Sequence, residues 1–469
     1  MHGKEPSWTG AGADATISEG EAVRTEVRLL QNTEGSMEKM DLIVRNARLA
    51  GGGEVRDIAV NGSVIAAVEE HIEERGDSEI DAGGCLVCPP FSDPHVHLDA
   101  VLTVGDPRYN DSGTLLEGIA VWGERRPFVT KKGLMENARE AVLWEAANGV
   151  QFIRTHADTT DGSLVTVEAL LELKEEMKDV ADIQVVAFPQ DGIYTFPDGE
   201  RNLRRAVEIG CDCVGAIPHN ELTREDGVRS VELAFDLAEK FGRMVDIHCD
   251  ETGDEQSRFV EVMARCAISM GMGERTAASH TTAMHNYGND YALKLMGIFQ
   301  RAKMSFITLP FDNSVLQNRT DGYPRRRGHT RVDELDRAGV NVCIGHDSIM
   351  DPWYPMGKGS MLAAANLLLH TAHMSGYSQV FRLFRMITGN SAETLGVSDS
   401  YGIAPGKDAS FLVLDAEDEF DAIRLQSECL WSVRRGRIVS QSVPAARTVT
   451  RESGRRDVDF KWKRMTGKA

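Results

Sequence analysis

No apolar run in this 469-residue chain approaches the roughly 20 residues that a membrane-spanning helix needs. No secretory leader, with a basic start, an apolar centre and a small-residue cleavage site, is evident, so a cytoplasmic location is expected. Positive charge is in deficit. Lys and Arg number 52 against 72 Asp and Glu, giving a net charge of −20. A polyanion partner needs a basic surface, so nucleic acid polymers and membranes are set aside as partners, and a small neutral substrate fits better. Cysteine offers no disulfide framework either. Cys85, Cys88, Cys211, Cys213, Cys249, Cys266, Cys343 and Cys429 are scattered, mostly inside apolar runs, as free thiols buried in a reducing compartment would be. Cys85-Leu86-Val87-Cys88 has redox-motif spacing but lies on the pattern of a buried strand.

What the chain does have is two histidines one residue apart, in Phe91-Ser92-Asp93-Pro94-His95-Val96-His97-Leu98-Asp99. At the end of a strand, side chains at i and i+2 point to the same face. His95 and His97 can therefore reach one metal ion together, and neutral imidazole is a common ligand for zinc or iron. Alone, such a pair does not separate ligands from two unrelated histidines.

The rest of the chain supplies context. Residues 1–38 are rich in Gly, Glu, Ala, Ser and Thr with little periodicity and are expected to be a disordered tail; Met37 is a candidate original start. From Asp41 the pattern turns β, with Asn61-Gly62 as a tight-turn signal. Similar signals return near residues 410–439, with a turn at Arg435-Gly436. Neither piece is large enough to stand alone. One small β-sandwich domain, residues 39–88 and 397–445, built from both chain ends, is the economical reading. Residues 446–469 are expected to form a C-terminal tail.

Between these pieces, short apolar runs occur at 150–153, 183–188, 213–217, 244–247, 276–278, 305–309 and 341–344. Helix-like stretches such as 228–241 and 255–270 separate them. Near-continuous apolar runs mark strands buried on both faces. With the strand before His95 they make eight, so residues 89–396 are expected to form an α/β fold, a (β/α)8 TIM-like barrel. The runs end in His95 and His97, His156, Gln190, His219, His248, His280, the 310–313 stretch and Asp347. Active sites of such barrels form at the C-terminal ends of the strands.

Several long segments carry a family resemblance. Pro94-His95-Val96-His97-Leu98-Asp99, Gly113-Thr114-Leu115-Leu116-Glu117-Gly118, Ala187-Phe188-Pro189-Gln190-Asp191-Gly192, Gly215-Ala216-Ile217-Pro218-His219, His248-Cys249-Asp250-Glu251, Ala278-Ser279-His280-Thr281-Thr282-Ala283-Met284-His285, and His346-Asp347-Ser348 through Asp351-Pro352-Trp353-Tyr354-Pro355 occur in order. Together, over about residues 40–445, the chain resembles the bacterial cytosine deaminases of the amidohydrolase superfamily. The resemblance implies one divalent metal ion per chain, iron(II) or zinc, held by His95, His97, His248 and Asp347. It implies Glu251 as proton shuttle, His280 as the residue that orients and activates the attacking water, and Gln190 as reader of the amide edge of a base. Leu115 and Phe188 would wall the pocket and Trp353 would close part of it. The implied reaction is hydrolytic deamination of free cytosine or 5-methylcytosine, giving uracil or thymine plus ammonia in pyrimidine salvage, by a protein expected to be a homo-oligomer.

The residue types suit that chemistry. Three imidazoles and one carboxylate leave a coordination position for water, and a cation lowers that water's pKa from about 15.7 toward about 7. Asp347 can also take a proton from that water, and Glu251, three residues past His248, can pass protons to the ring and to the leaving amine. Gln190 offers both a donor and an acceptor, which suits an –NH–C(=O)– edge. No lysine ends a central strand, since Lys174 and Lys240 fall in helical patterns, which speaks against a carbamate-bridged binuclear centre. Pro-Cys-x-x-Cys is absent, so His219-Asn220-Glu221 matches only half of the signature of the small zinc deaminases.

One departure bears on substrate choice. Many relatives carry Asp-Asp after the last strand; this chain has Asp347-Ser348. Ser348 is expected to leave room for a substituent at ring position 5. The alternatives are deamination of another amino-heterocycle, such as isoguanine, isocytosine or creatinine, and a non-enzymatic barrel used as a scaffold; the presence of all four ligands and Glu251 disfavours the scaffold.

Overall fold

The structure is a computed structural model that describes residues 39–461. The tail expected over 1–38, the candidate start at Met37 and the last eight residues of the expected C-terminal tail lie outside the described residues. Eight strands form one parallel sheet in chain order: Phe91–Val96, Val150–Asp158, Asp182–Phe188, Cys213–Val214, Met244–Cys249, Thr276–His280, Ser305–Thr308 and Val342–Ile344. We number them barrel strands 1 to 8. The ring closes through the backbone, where Asp347 N donates to His95 O at 2.8 Å and His97 N donates to Asp347 O at 3.0 Å. This is the expected (β/α)8 barrel. All nine residues of barrel strand 2 are buried, which is why the runs read as continuous rather than alternating.

The outer helices carry ordinary start and stop signals. The helix Arg224–Phe241 opens at Thr223, whose side chain accepts from Asp226 N. Glu225 and Asp226 lie in its first turn, where the helix dipole favours them, and Gly242 ends it at φ +65°. Its Val231, Ala234, Phe235 and Ala238, spaced three and four apart, are buried against the barrel.

The remaining large sheet also has eight strands. Met40–Leu49, Val55–Asn61, Val64–Glu69, Gly76–Asp81 and Leu86–Cys88 come from the front of the chain, and Phe411–Leu414, Cys429–Arg434 and Arg437–Gln441 from the back. The two groups join where Leu86–Cys88 pairs antiparallel with Phe411–Leu414. Met40–Leu49 pairs on one edge with Val55–Asn61 and on the other with Gly76–Asp81 and then Leu86–Cys88, so the sheet divides there and folds over its own core of Val44, Ile58, Ile65, Phe411 and Val413. The stretch read as a C-terminal tail contains an exposed hairpin, Thr448–Arg451 with Gly454–Asp457. Among the described residues no helix is long and apolar enough to cross a membrane.

Candidate active site

The C-terminal ends of the barrel strands bring a compact set of polar groups together. His95 lies in barrel strand 1 and His97 just past it, His248 lies in strand 5, His280 ends strand 6, and Asp347 follows strand 8. His97 Nε2 stands 3.1 Å from His248 Nε2. Asp347 Oδ1 stands 3.5 Å from both His95 Nε2 and His97 Nε2. Ligands about 2.0–2.2 Å from a common ion at tetrahedral angles stand roughly 3.4 Å apart, so this spacing suits one small cation. His280 and Asp347 adopt left-handed φ values of +66° and +72°, a conformation that non-glycine residues hold only where surroundings enforce it.

Charge supports the same fit. Burial first, then neighbouring imidazoles, pulls His95, His97 and His248 well below the usual histidine range. They stand neutral, as ligands must. Burial, followed by Asp312, Glu251 and Asp351, pushes Asp347 well above the usual carboxylate range. Neutral imidazoles around a carboxyl that resists ionisation form a donor set that a divalent cation would stabilise. Two overlapping histidine groups, His95 with His248 and His280, and His95 with His97 and His156, have ligand atoms within 4.8 Å of one another.

Beside the cluster, Glu251 Oε1 lies 3.5 Å from His280 Nδ1 and accepts from Gln317 Nε2 at 3.1 Å. Burial pushes the Glu251 carboxyl up to about 8. His280 Nδ1 also lies 3.0 Å from Asn313 Nδ2 and 3.9 Å from Asp347 Oδ2. His97, His248, Glu251, His280 and Asp347 border a small cavity, lined also by Leu115, Gln190, Asp312, Leu316, Ser348 and Trp353.

Leu115 opens the helix Leu115–Arg125, capped by Thr114, whose side chain accepts from Glu117 N. Trp353 is brought close by Gly118: a Cβ there would lie 2.5 Å from Trp353 Cδ1, so only glycine lets the indole settle against this helix. Gln190 follows strand 3 and is 5% exposed. Asp191, the next residue, is held by Arg126, whose guanidinium also bonds Asp158. Ser348 is buried and lines the same cavity.

Against expectation, Phe188 does not line the cavity; it is fully buried and stacks on His248, ring centroids 4.0 Å apart, with its edge toward His97 and His156. Strand alternation gave the face but not the depth. Sequence reasoning also missed Asp312, Asn313 and Gln317. Asp312 and Asn313 lie on the helix Pro310–Leu316 after strand 7 and Gln317 directly follows it; the Pro310-to-Asn313 stretch was the only signal of them. Lys174 pairs with Asp212 at 2.7 Å, and no lysine lines the cavity.

The barrel, its closing β-domain and the histidine–aspartate cluster at the strand ends define a class of metal-dependent hydrolases. Residues 78–440 match the profile of the amidohydrolase family, and the chain belongs to that family. It is 31% identical over 409 residues to N-isopropylammelide isopropyl amidohydrolase of Pseudomonas sp. (strain ADP), covering 85% of this chain and 97% of that protein. It is 25% identical over 423 residues to pterin deaminase of Rhizobium rhizogenes, covering 88% and 90%. Among solved structures, 5-methylcytosine deaminase from Klebsiella pneumoniae liganded with 5-fluorocytosine superposes with a TM-score of 0.84 at 44% identity, covering 86% of this chain and 98% of that one.

Proposed function

We propose that this protein hydrolytically deaminates a free aminopyrimidine, cytosine or 5-methylcytosine, to uracil or thymine. The observation that carries the reading is the 44% identity, across nearly the whole of that chain, to a 5-methylcytosine deaminase, joined to a small cavity ringed by Gln190, Glu251, His280 and Asp347. His95, His97, His248 and Asp347 would hold one divalent cation, iron(II) or zinc, which when bound lowers the pKa of a coordinated water toward about 7.

The chain's own groups do the rest. Asp347 Oδ2, 3.9 Å from His280 Nδ1, accepts a proton from the attacking water while His280 orients it. A C–O bond forms at the ring carbon that bears the amine. Glu251, held near neutrality by burial, donates its proton to the adjacent ring nitrogen, then takes the remaining proton of the added hydroxyl and delivers it to the amine as the carbonyl forms, the C–N bond breaks and ammonia leaves; the proton held by Asp347 restores Glu251. Gln190 pairs with the –NH–C(=O)– edge, and Leu115 and Trp353 cover the ring.

Two outcomes follow from the pocket walls. Gln190→Leu leaves the amide edge of the bound base without its partner, and an unpaired buried polar group costs about 1–3 kcal/mol. Steady-state kinetics are expected to show kcat/KM reduced about 10- to 100-fold, mostly through KM. Ser348→Asp adds a carboxylate beside Asp312, Asp347 and Asp351 and fills space beside the ring. A buried methyl contributes about 0.8 kcal/mol, so the preference for 5-methylcytosine over cytosine is expected to fall at least about fourfold. An unchanged ratio would remove Ser348 from substrate choice.

The activity itself is tested by kcat/KM of metal-replete protein on cytosine, 5-methylcytosine and isoguanine, scored by ammonia release. The two pyrimidines are expected to lead. Isoguanine outrunning both would move the substrate class to another amino-heterocycle.

A further inference from the structure

Beneath the cluster, His95 is tied to a chain of buried polar groups crossing the barrel interior. His95 Nδ1 lies 2.9 Å from Ser279 Oγ. Ser279 Oγ donates to Asp246 Oδ1 at 2.7 Å, and Arg154 Nη1 donates to Asp246 Oδ2 at 2.9 Å. All four residues are fully buried, and they come from barrel strands 1, 6, 5 and 2. Arg154 is fixed in turn by Gln184 Oε1, at 3.0 and 2.9 Å, and by the carbonyl of Thr394 at 3.1 Å.

The direction of each bond follows by elimination. Arginine is always charged and only donates. Asp246, paired with it, is a carboxylate and only accepts. The Ser279 proton must therefore point at Asp246, which leaves Ser279 only lone pairs to offer His95. The shared contact at 2.9 Å then requires a proton on His95 Nδ1. A neutral imidazole carries one N–H, so Nε2 is bare. That nitrogen has no hydrogen-bond partner among the described residues, and it faces Asp347 Oδ1 at 3.5 Å. The other two imidazoles lack such a chain. Asp99 Oδ1 is 3.9 Å from His97 Nδ1, beyond hydrogen-bond range, and His248 Nδ1 has no partner among the described residues.

We propose that Ser279, Asp246 and Arg154 are positioning residues that lock His95 in its Nδ1–H tautomer with Nε2 turned to the metal position. This rests on the metal site read above and adds what makes one ligand pre-organised. Without the chain, a neutral His95 divides between two tautomers and loses the bond that fixes which nitrogen faces the metal position. Losing a partner that orients a ligand typically weakens metal binding about 10- to 100-fold.

The test pairs two measurements. Zinc affinity, by competition with a chromophoric chelator, is expected to weaken about 10- to 100-fold in Ser279→Ala and to recover largely in Ser279→Thr, which keeps the hydroxyl. Nitrogen-15 NMR of histidine-labelled, metal-free wild type, with His95 assigned from His95→Gln, is expected to show the proton on Nδ1. A proton on Nε2, or equal zinc affinity in Ser279→Ala and wild type, overturns the proposal. A wild type that binds no zinc or iron(II) would sink the metal reading instead, and the NMR measurement on wild type would still decide the tautomer.

Discussion

Glu251→Gln is expected to lower kcat by about 10²- to 10⁴-fold, the usual contribution of a positioned acid–base group, while metal content stays at the wild-type level. Glutamine keeps the shape and an oxygen that can accept from Gln317, as Glu251 Oε1 does at 3.1 Å, so the pocket survives. It cannot move a proton. Because Glu251 is 4% exposed and touches His280 rather than the three imidazole ligands, the variant separates proton transfer from metal binding. The same substitution changes stability in a stated direction. Burial raises the Glu251 carboxyl from 4.5 to about 8, so the folded metal-free protein binds a proton here that the unfolded chain has released. Its contribution to stability therefore falls as pH rises from about 4.5 to about 8. Metal-free Glu251→Gln lacks that loss, and its melting temperature should exceed wild type's at pH 8 by more than at pH 5. Normal turnover in the variant would remove Glu251 from the proton path.

Removing a ligand is expected to abolish activity together with the metal. In His248→Ala, one of four donors is lost from a set in which His97 Nε2 and His248 Nε2 sit only 3.1 Å apart. Chelation of wild type should give the same inactive state and, unlike the substitution, should be reversed by one equivalent of zinc or iron(II). Metal content by mass spectrometry alongside ammonia release checks both. His248→Ala that keeps full metal occupancy and turnover would mean that the cation sits elsewhere, for example at the group formed by His95, His97 and His156.

Much of the architecture could be read from the chain because burial leaves a mark on composition. The eight barrel strands coincide with eight apolar runs, since each strand is covered on both faces. Their ends carried the histidines, so the neighbourhood of the site followed from topology alone. What escaped depended on depth and on loops. Phe188 sits behind His248 because strand alternation fixes a face, not a distance from the cavity. Asp312, Asn313 and Gln317 enter from the helix after strand 7, whose orientation no periodicity announces. Ser279 and Asp246 look unremarkable in sequence; only their meeting across strands 5 and 6 gives them a role. The hairpin at Thr448–Arg451 and Gly454–Asp457 has no buried residue, so hydrophobic patterning could not find it.

The most direct test is anomalous diffraction from crystals of metal-loaded protein at the zinc or iron edge. One peak is expected, within about 2.0–2.2 Å of a nitrogen from each of His95, His97 and His248 and an oxygen of Asp347. A peak that leaves out Asp347 and His248, or no peak in protein that deaminates 5-methylcytosine, would contradict the account.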